Sequence, residues 1–248
     1  MEEKEAIIER VKKVNDTVQH VELAVDSTMA RIKPGQSLLV WPVNRPHHAY
    51  LRDHWWPVNI KPGDKLIIER PLSEHYESTQ LINVLGLIGT PYRFRRTLRN
   101  VLLIASDTLP TPLMMTIPWL LGNQVSVTLA LLGSAADYQT THLPAEVEVF
   151  KGDSETFDWP DQVMTVGWAD QVFVTVSDRD QYGQFQRVLT RFQDLRAVIP
   201  QNYLFGVFND LLPCGAGACQ ACMVPTRGGN YLSCTEGPAF DLTQVNLV

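Results

Sequence analysis

The first 213 residues of this 248-residue chain contain no cysteine. A framework of disulfide bonds running through the chain is therefore excluded. The sequence also lacks any run approaching the ~20 apolar residues that a membrane-spanning helix needs. Its opening residues, MEEKEAIIERVKK, are charged and amphipathic and contain no apolar core of the kind a secretory signal carries. We therefore expect a cytoplasmic protein without a membrane span.

Positive charge is not in excess, because the chain has 21 Lys and Arg and 27 Asp and Glu, which gives a net charge of −6. This balance does not predict a nucleic-acid partner. No arrangement of Ser, His and Asp or pair of acids stands out, so hydrolytic catalysis is not supported. The remaining composition, 45% hydrophobic and 19% charged, is that of an ordinary globular protein with material for a buried core.

The pattern of the sequence changes near residue 96. Before it, short β-branched or alternating runs are separated by the turn sequences KPGQ and KPGD, which predicts a small antiparallel β barrel or sandwich. The predicted strands are Ala6–Val14, Thr17–Val25, Ser37–Trp41, Lys65–Glu69 and Leu81–Leu85.

After residue 96, apolar strands alternate with helices, which predicts an α/β domain with a parallel sheet. We therefore expect a β barrel plus α/β fold in three parts: residues 1–96, residues 97–200, and a small segment of residues 201–248 rich in Gly and Cys. The predicted strands are Asn100–Ala105, Val125–Leu132, Glu146–Phe150 and Gln171–Val176, and the predicted helices are Thr111–Leu121 and Gln181–Leu195.

All four cysteines lie in this last segment, with the spacing C-x4-C-x2-C-x11-C: Cys214, Cys219, Cys222 and Cys234. Unpaired structural cysteines are one interpretation, but the surrounding glycines would make a poor core. Zinc is a second, although zinc sites usually contain two C-x2-C pairs and only one is present here. The third is a 2Fe–2S cluster, since the plant-type clusters use the spacing C-x4-C-x2-C…C. Small residues between the ligands let the backbone approach a cluster and aim N–H groups at its sulfurs. We favour the 2Fe–2S cluster and keep zinc as the alternative.

The segment PCGAGACQACMVPTRGGNYLSCTEGPAFD resembles the C-terminal cluster domain of the electron-transfer subunit of B-type dihydroorotate dehydrogenase. Related reductase subunits of sulfhydrogenases and anaerobic sulfite reductases share that domain. The family has C-G-x-G-x-C-x-x-C and later a cysteine followed by D-G-P-V-F, and the counterpart here is C-T-E-G-P-A-F from Cys234. The order of barrel and parallel sheet is similar to that of ferredoxin–NADP reductases, and Pro34–Gln36 matches a P-G-Q-F turn.

The resemblance implies a flavin-binding-like barrel, an NAD(P)-binding-like α/β domain and a 2Fe–2S segment. It implies that FAD in the barrel exchanges electron pairs with nicotinamide. The cluster, ligated by the four cysteines, would then pass single electrons to a partner subunit that holds the substrate site.

The flavin motif of the family, R-P-x-S-I, corresponds here to Trp56-Pro57-Val58-Asn59-Ile60. Trp56 replaces the arginine that neutralises the pyrophosphate, and Asn59 replaces the serine, whereas Pro57 is kept. Arg52, four residues earlier, is the candidate replacement for the arginine. The second flavin segment reads PLSEHYEST, with two glutamates that would repel a pyrophosphate and no glycine. These departures put FAD binding in doubt without removing FAD from the candidate cofactors.

The nicotinamide motifs depart further. The glycine-rich loop G-G-G-x-G-x-A-P-L corresponds to ASDTLPTPL at residues 105–113, which has no glycine. Pro110 cannot donate an N–H to a phosphate, and Asp107 adds negative charge. The family's C-G-P corresponds to the TVSD of residues 175–178. We therefore do not expect NAD(P).

Together these features predict an accessory electron-transfer subunit of an oxidoreductase complex, which relays electrons through a 2Fe–2S cluster to or from a partner subunit. The alternative is a structural or assembly subunit whose cluster, or zinc, only holds the C-terminal segment. A self-sufficient NAD(P)H reductase is disfavoured. His47, His48 and His54 lie close to Trp55 and Trp56, but their spacing fits no metal site, and we interpret them as part of a polar loop.

Overall fold

The computed structural model describes residues 2–41 and 51–247. Seven antiparallel strands form one sheet in the order β4-β3-β7-β1-β2-β6-β5. Only Trp56 separates the two edge strands, so the chain itself joins the edges and the sheet is a nearly closed barrel. The strands are β1 (Glu2–Lys13), β2 (Val18–Ala24), β3 (Ser37–Val40), β4 (Asp53–Trp55), β5 (Pro57–Lys61), β6 (Lys65–Pro71) and β7 (Leu81–Ile88).

Alternation of apolar and polar residues explains why these segments are strands. In β7, for example, every second residue is buried, as expected for a strand with one face on a core. Ile8, Val21, Leu23 and Val84 from β1, β2 and β7 meet inside the barrel. The predicted antiparallel barrel is confirmed, and β4 and β5 are additional strands that the sequence pattern did not indicate.

The second sheet contains six strands in the order β10-β9-β8-β11-β12-β15, and all neighbours are parallel except β12 and β15. Two further strands, β13 and β14, form a separate hairpin. The strands are β8 (Asn100–Ser106), β9 (Ser126–Leu132), β10 (Glu148–Gly152), β11 (Gln171–Val176), β12 (Leu204–Val207), β13 (Met223–Thr226), β14 (Gly229–Leu232) and β15 (Ala239–Asp241).

Four helices accompany this sheet: α1 (Thr111–Met114), α2 (Thr116–Gly122), α3 (Gln162–Trp168) and α4 (Gln181–Leu195). The helix α4 has the predicted bounds and buries Phe185, Val188 and Phe192. The predicted helix over residues 111–121 is divided into α1 and α2 at Met115. The helix α3 was not predicted. Among the described residues, no helix combines the length and the apolar character needed to cross a bilayer.

The barrel and the parallel sheet share apolar packing. One core cluster contains Val58 and Ile67 of the barrel together with Val101 and Leu103 of β8 and Phe173 of β11. The chain between β7 and β8 therefore connects two layers that are in direct contact.

The C-terminal segment is anchored to both layers. Its first and last strands, β12 and β15, extend the parallel sheet. On the barrel side, the N–H of Gly89 donates to the carbonyl of Cys234 at 2.9 Å, and the N–H of Thr90 donates to that of Gly237. The loop between β12 and the hairpin is thereby held against the end of β7.

Candidate functional site

The four cysteines converge at this loop and hairpin as two pairs. Cys214 and Cys219 lie in the loop, and the thiol of Cys219 is close enough to that of Cys214 to help lower its pKa. Cys222, directly before β13, and Cys234, just after β14, are the second pair of neighbouring thiols, and both lie in one buried cluster. The hairpin explains this second pair, because Met223 lies opposite Leu232 and brings the flanking residues together.

Backbone N–H groups point at the sulfur of Cys214. The N–H of Ala216 lies 3.4 Å from this sulfur, and the N–H groups of Ala218 and Cys219 contribute as well. These donors favour the thiolate and lower the pKa of Cys214 to about 7. A negatively charged sulfur is the form that ligates metals.

The second pair is buried on the barrel. Cys222 is 3% exposed and Cys234 is 2% exposed, and both pack with Leu39, Ile88 and Leu212. Burial, followed by the neighbouring Cys222, raises the pKa of Cys234 to about 12. A bare thiolate is disfavoured in this environment, so a bound cation would have to stabilise it.

Glycine is required at two positions of the loop. Gly215 and Gly217 adopt φ values of +63° and +75°, which side chains rarely tolerate. A Cβ on Gly215 would also lie 2.7 Å from Leu39 Cδ1 and 2.9 Å from Ile88 Cδ1. The loop therefore curls tightly because its small residues allow contact with the barrel. Leu39 and Ile88 were not recognised as part of the site from the sequence, since only the fold brings them there.

The two-by-two arrangement of the thiols fits a two-iron cluster better than one zinc ion. Four thiolates around one zinc, each ~2.3 Å from the metal, lie ~3.8 Å apart. Among the described residues, no three of the cysteine sulfurs all lie within 4.8 Å of one another. The thiols are therefore too far apart to surround one zinc ion as they stand. The donor set, the N–H groups and the partly exposed loop suit an iron–sulfur cluster.

The residues of the degenerate flavin motif lie at the edge of the barrel. Trp56, between β4 and β5, is 7% exposed, and its indole Nε1 donates to Oδ1 of Asn209 at 3.2 Å. Pro57 is buried, whereas Asn59 is exposed, and its Oδ1 accepts from the N–H of Ile60 at 2.8 Å.

Arg52 contacts a different part of the barrel. Its guanidinium donates to Asn83 at 2.7 Å and to Glu3 at 2.9 Å, and it also lies over the ring of Trp41. The structure records no contact between Arg52 and Asn59.

The second flavin segment forms an internal network of its own. Arg70 donates from Nε and Nη2 to the two carboxylate oxygens of Glu74, each at 2.8 Å, and the hydroxyl of Tyr76 donates to the same carboxylate. These groups are engaged with one another rather than arranged around a phosphate.

The space between β5 and the parallel sheet is filled by protein. Val58 and Ile67 of the barrel pack with Leu113 and Met114 of α1 in a single core cluster. A flavin ring held by residues 56–60 against α1 would have to displace this packing. The residues present therefore do not fit a flavin in this arrangement.

A cavity of about 260 Å³ lies at the carboxyl end of β8, next to the segment compared with a glycine-rich nucleotide loop in the sequence. Asp107 and Asp180 both line it, as does Arg187. Asp107, with φ of +52°, accepts from the N–H of Ser134 at 3.0 Å, and Asp180 accepts from the N–H of Gly183 at 3.2 Å. Two carboxylates and the absence of a glycine loop make this a poor phosphate site.

His54 was interpreted as part of a polar loop, and this is wrong. It lies in the strand β4, its ring contacts that of Trp56, and its Nε2 and the hydroxyl of Ser37 are 2.6 Å apart. Its pKa is lowered to about 4 because burial disfavours the charged form. His47 and His48 lie outside the described residues.

Comparison with known proteins agrees with these observations. Residues 209–246 match the model of the iron–sulfur cluster binding domain of dihydroorotate dehydrogenase B. Such a cluster domain is what the cysteine spacing and the flanking residues predicted. No curated protein matches the chain.

Solved structures share the architecture. A structure of the NADH-dependent reduced ferredoxin–NADP oxidoreductase, described for its flavin-based electron bifurcation, has a TM-score of 0.73 at 16% identity over 97% of this chain and 89% of its own. The siderophore-interacting protein of Acinetobacter baumannii has a TM-score of 0.55 at 14% identity, over 82% of this chain and 88% of its own. The cytochrome b5 reductase domain of Ulva prolifera nitrate reductase has a TM-score of 0.57 at 10% identity, over 82% of this chain and 96% of its own.

The chain has a ferredoxin–NADP reductase-like fold. At these identities the likeness concerns the fold alone, and the segment of residues 209–246 adds an iron–sulfur binding domain. The predicted resemblance to an electron-transfer subunit of the dihydroorotate dehydrogenase B type is thereby confirmed in its fold and its C-terminal segment.

Proposed function

We propose that this protein is an electron-transfer subunit that relays electrons through a 2Fe–2S cluster to or from a partner subunit. The observation that carries the proposal is the pairing of Cys214 with Cys219 and of Cys222 with Cys234 within the segment matched by the cluster-domain family. A plant-type 2Fe–2S cluster has two cysteine ligands on each of its irons, and it supplies one-electron transfer when bound.

The residues around the cysteines have separate tasks. The N–H groups of Ala216 and Ala218 face the sulfur of Cys214 and stabilise its negative charge. Leu39 and Ile88 keep water from the buried pair. Such donors and apolar contacts are the means by which a protein sets a cluster potential.

The exposed side of the loop suits contact with a partner. Cys219 is exposed, and so are the apolar side chains of Leu211, Met223 and Tyr231 in the same segment. A cluster that exchanges electrons between proteins needs one edge near the surface. We also expect a partner on chemical grounds, because a cluster without a flavin or a nicotinamide beside it in the described residues has no second centre with which to exchange electrons.

We further propose that neither FAD nor NAD(P) is a resident cofactor. The packing of α1 on β5 and the carboxylates of Asp107 and Asp180 support this proposal. The three parts 1–96, 97–200 and 201–248 remain our proposed domains, although β12 and β15 place two strands of the last part in the sheet of the second. A cytoplasmic location, where thiols stay reduced, remains a prediction of the sequence.

The decisive experiment is anaerobic purification of the full chain followed by analysis of iron, acid-labile sulfide, zinc and flavin. We expect ~2 irons and ~2 sulfides per chain, a visible absorption that bleaches on reduction with dithionite, and no stoichiometric flavin. Cys222→Ser should lose the iron, whereas the matched neighbour variant Ser233→Ala should keep it. A preparation with zinc and no iron would overturn electron transfer.

The same preparation distinguishes electron transfer from the structural alternative, in which the cluster only holds the C-terminal segment in place. Electron transfer predicts that the reduced cluster is reoxidised when the partner complex turns over. A cluster that stays reduced throughout turnover, in a complex that remains fully active, would leave only the structural role. Titration with NADH tests the self-sufficient reductase, and we expect no stoichiometric binding.

A further inference from the structure

Two histidines and a glutamate meet in the seam between the barrel and the parallel sheet. His20 of β2 lies directly opposite Glu69 of β6 in the antiparallel register. His142, in the segment between β9 and β10, reaches the same point from the other layer. The Nε2 atoms of both histidines lie 3.8 Å from Oε2 of Glu69, and one donor atom from each of the three residues lies within 4.8 Å of the other two.

Glu69 is a buried carboxylate, and no Lys or Arg of the described residues forms an ion pair with it. Its side chain is 1% exposed, and it accepts hydrogen bonds from Thr111 Oγ1 at 3.1 Å and from the hydroxyl of Tyr138 at 2.7 Å. In the described part of the chain, its ion-pair partners are the two histidines alone. A buried carboxylate is costly unless it is paired with charge or bound to a metal.

His20 provides an unused donor atom at the same place. Its Nε2 is buried and has no hydrogen-bond partner within the described chain. Buried polar atoms are nearly always paired, so an unpartnered imidazole nitrogen near a carboxylate needs an explanation. A bare imidazole nitrogen is also the form of histidine that ligates metals.

We propose that His20, Glu69 and His142 bind one divalent transition-metal ion of the zinc class, which joins the barrel to the parallel sheet. Two imidazoles and one carboxylate form an established zinc donor set, whereas Mg²⁺ and Ca²⁺ prefer oxygen ligands. This site goes beyond the proposed electron transfer, since it involves none of the cysteines.

The two histidine–carboxylate distances require only a small adjustment, and the two histidine donor atoms lie within 4.8 Å of each other. At a metal–ligand distance of ~2.0–2.1 Å, donors in a tetrahedral site lie ~3.3 Å apart. The observed 3.8 Å between each histidine nitrogen and the carboxylate oxygen therefore closes by about half an ångström. The hydroxyl of Tyr138 donates to the carboxylate of Glu69 at 2.7 Å and positions it. The same hydroxyl lies 3.1 Å from Nε2 of His142, and a metal ion at this nitrogen would replace that contact.

The experiment uses the full chain with its iron–sulfur cluster loaded, so that the cysteines are already occupied. The protein is treated with a chelator that leaves iron in place, is titrated with Zn²⁺, and is then analysed for zinc and iron together. We expect one zinc per chain in addition to the iron, and a melting temperature that rises with zinc concentration. His20→Gln and His142→Gln should each weaken zinc binding by at least ~10-fold without changing the iron content. His75→Gln, which alters an exposed histidine, is the matched control and should bind zinc normally.

Titration with Co²⁺ identifies the donor atoms. Imidazole and carboxylate ligands give only weak visible bands, whereas thiolates give an intense charge-transfer absorption. Thiolate-type spectra, zinc binding unchanged in both histidine variants, or no zinc binding by the folded wild-type chain would each overturn the site. Circular dichroism establishes that each variant is folded, and His142→Gln serves if His20→Gln, which alters a barrel strand, does not fold. Loss of iron without loss of zinc would count against the proposed electron transfer and not against this site.

Discussion

The indole Nε1 of Trp56 donates a hydrogen bond to Oδ1 of Asn209 at 3.2 Å. Trp56 stands where the flavin-binding family has its arginine, and Asn209 is the first residue of the segment matched by the cluster-domain family. The position that would neutralise a flavin pyrophosphate thus ties the barrel to the iron–sulfur segment.

We expect Trp56→Phe to destabilise the protein by about 1 kcal/mol, because it removes a partly buried hydrogen bond and keeps an aromatic ring. Urea unfolding of Trp56→Phe, Asn209→Ala and the double variant measures the coupling between the two residues. A coupling energy near zero would show that the contact contributes nothing to holding the segment.

Gly215→Ala should destabilise the cluster loop by about 2 kcal/mol or more. The left-handed conformation costs a non-glycine residue ~1–2 kcal/mol, and the new Cβ would press on Leu39 and Ile88. We expect a lower iron content and a lower unfolding midpoint.

Gly167→Ala is the matched control for this substitution. Gly167 lies in α3, and a Cβ there meets no atom within 4 Å. Alanine should stabilise the helix by up to ~1 kcal/mol and leave the iron content unchanged. Equal effects of the two substitutions would contradict a special requirement for glycine in the loop.

Elements with a regular period were predictable from the sequence. The helix α4 was found with its observed bounds because its apolar residues recur at helical spacing over 15 residues. The short strands β4 and β5 were missed, since three to five residues around Trp55 and Trp56 show no period. The helix α3 was missed for a similar reason, as it has seven residues and includes Gly167.

The residues of the candidate sites also fall into two groups, those that a local sequence pattern predicts and those that only the fold brings together. The cysteines could be found because their ligand spacing is local in the chain. The contacts of Gly215 with Leu39 and Ile88 depend on the packing of the loop on the barrel, and no local pattern encodes them. The proximity of His20 and Glu69 depends on the register between β2 and β6, nearly fifty residues apart, and that of His142 depends on the docking of the two layers.

Arg95 is half-buried and holds three backbone carbonyls together. Its guanidinium donates to the carbonyls of Asp170, Gln201 and Asn202 at 3.0, 2.9 and 3.1 Å. We expect Arg95→Lys to cost about 2 kcal/mol, since an ammonium cannot reach three carbonyls at once and hydrogen bonds to charged groups contribute ~1.5–3 kcal/mol each.

The neighbouring Arg96 is exposed, so Arg96→Lys is the control and should change stability by no more than ~0.5 kcal/mol. Chemical denaturation at neutral pH compares the two variants. If Arg95→Lys proves as mild as Arg96→Lys, the three carbonyl contacts do not stabilise the segments that precede β11 and β12.

His54 should make the stability of the protein depend on pH between about 6.5 and 4. Burial lowers its pKa from 6.5 to about 4. Between these two pH values His54 is therefore protonated in the unfolded chain and neutral in the folded protein. The stabilisation is complete at pH values above 6.5, the pKa of His54 in the unfolded chain. It is lost as the pH falls toward about 4, the pKa of His54 in the folded protein. Between pH 7 and pH 5 we expect the free energy of unfolding of the wild type to fall by about 2 kcal/mol more than that of His54→Gln, which cannot titrate.

Urea unfolding at the two pH values measures this difference, with His75→Gln as a control that should behave like the wild type. Equal losses in wild type and His54→Gln would mean that His54 becomes protonated inside the folded barrel, and that its contact with Ser37 survives the added charge.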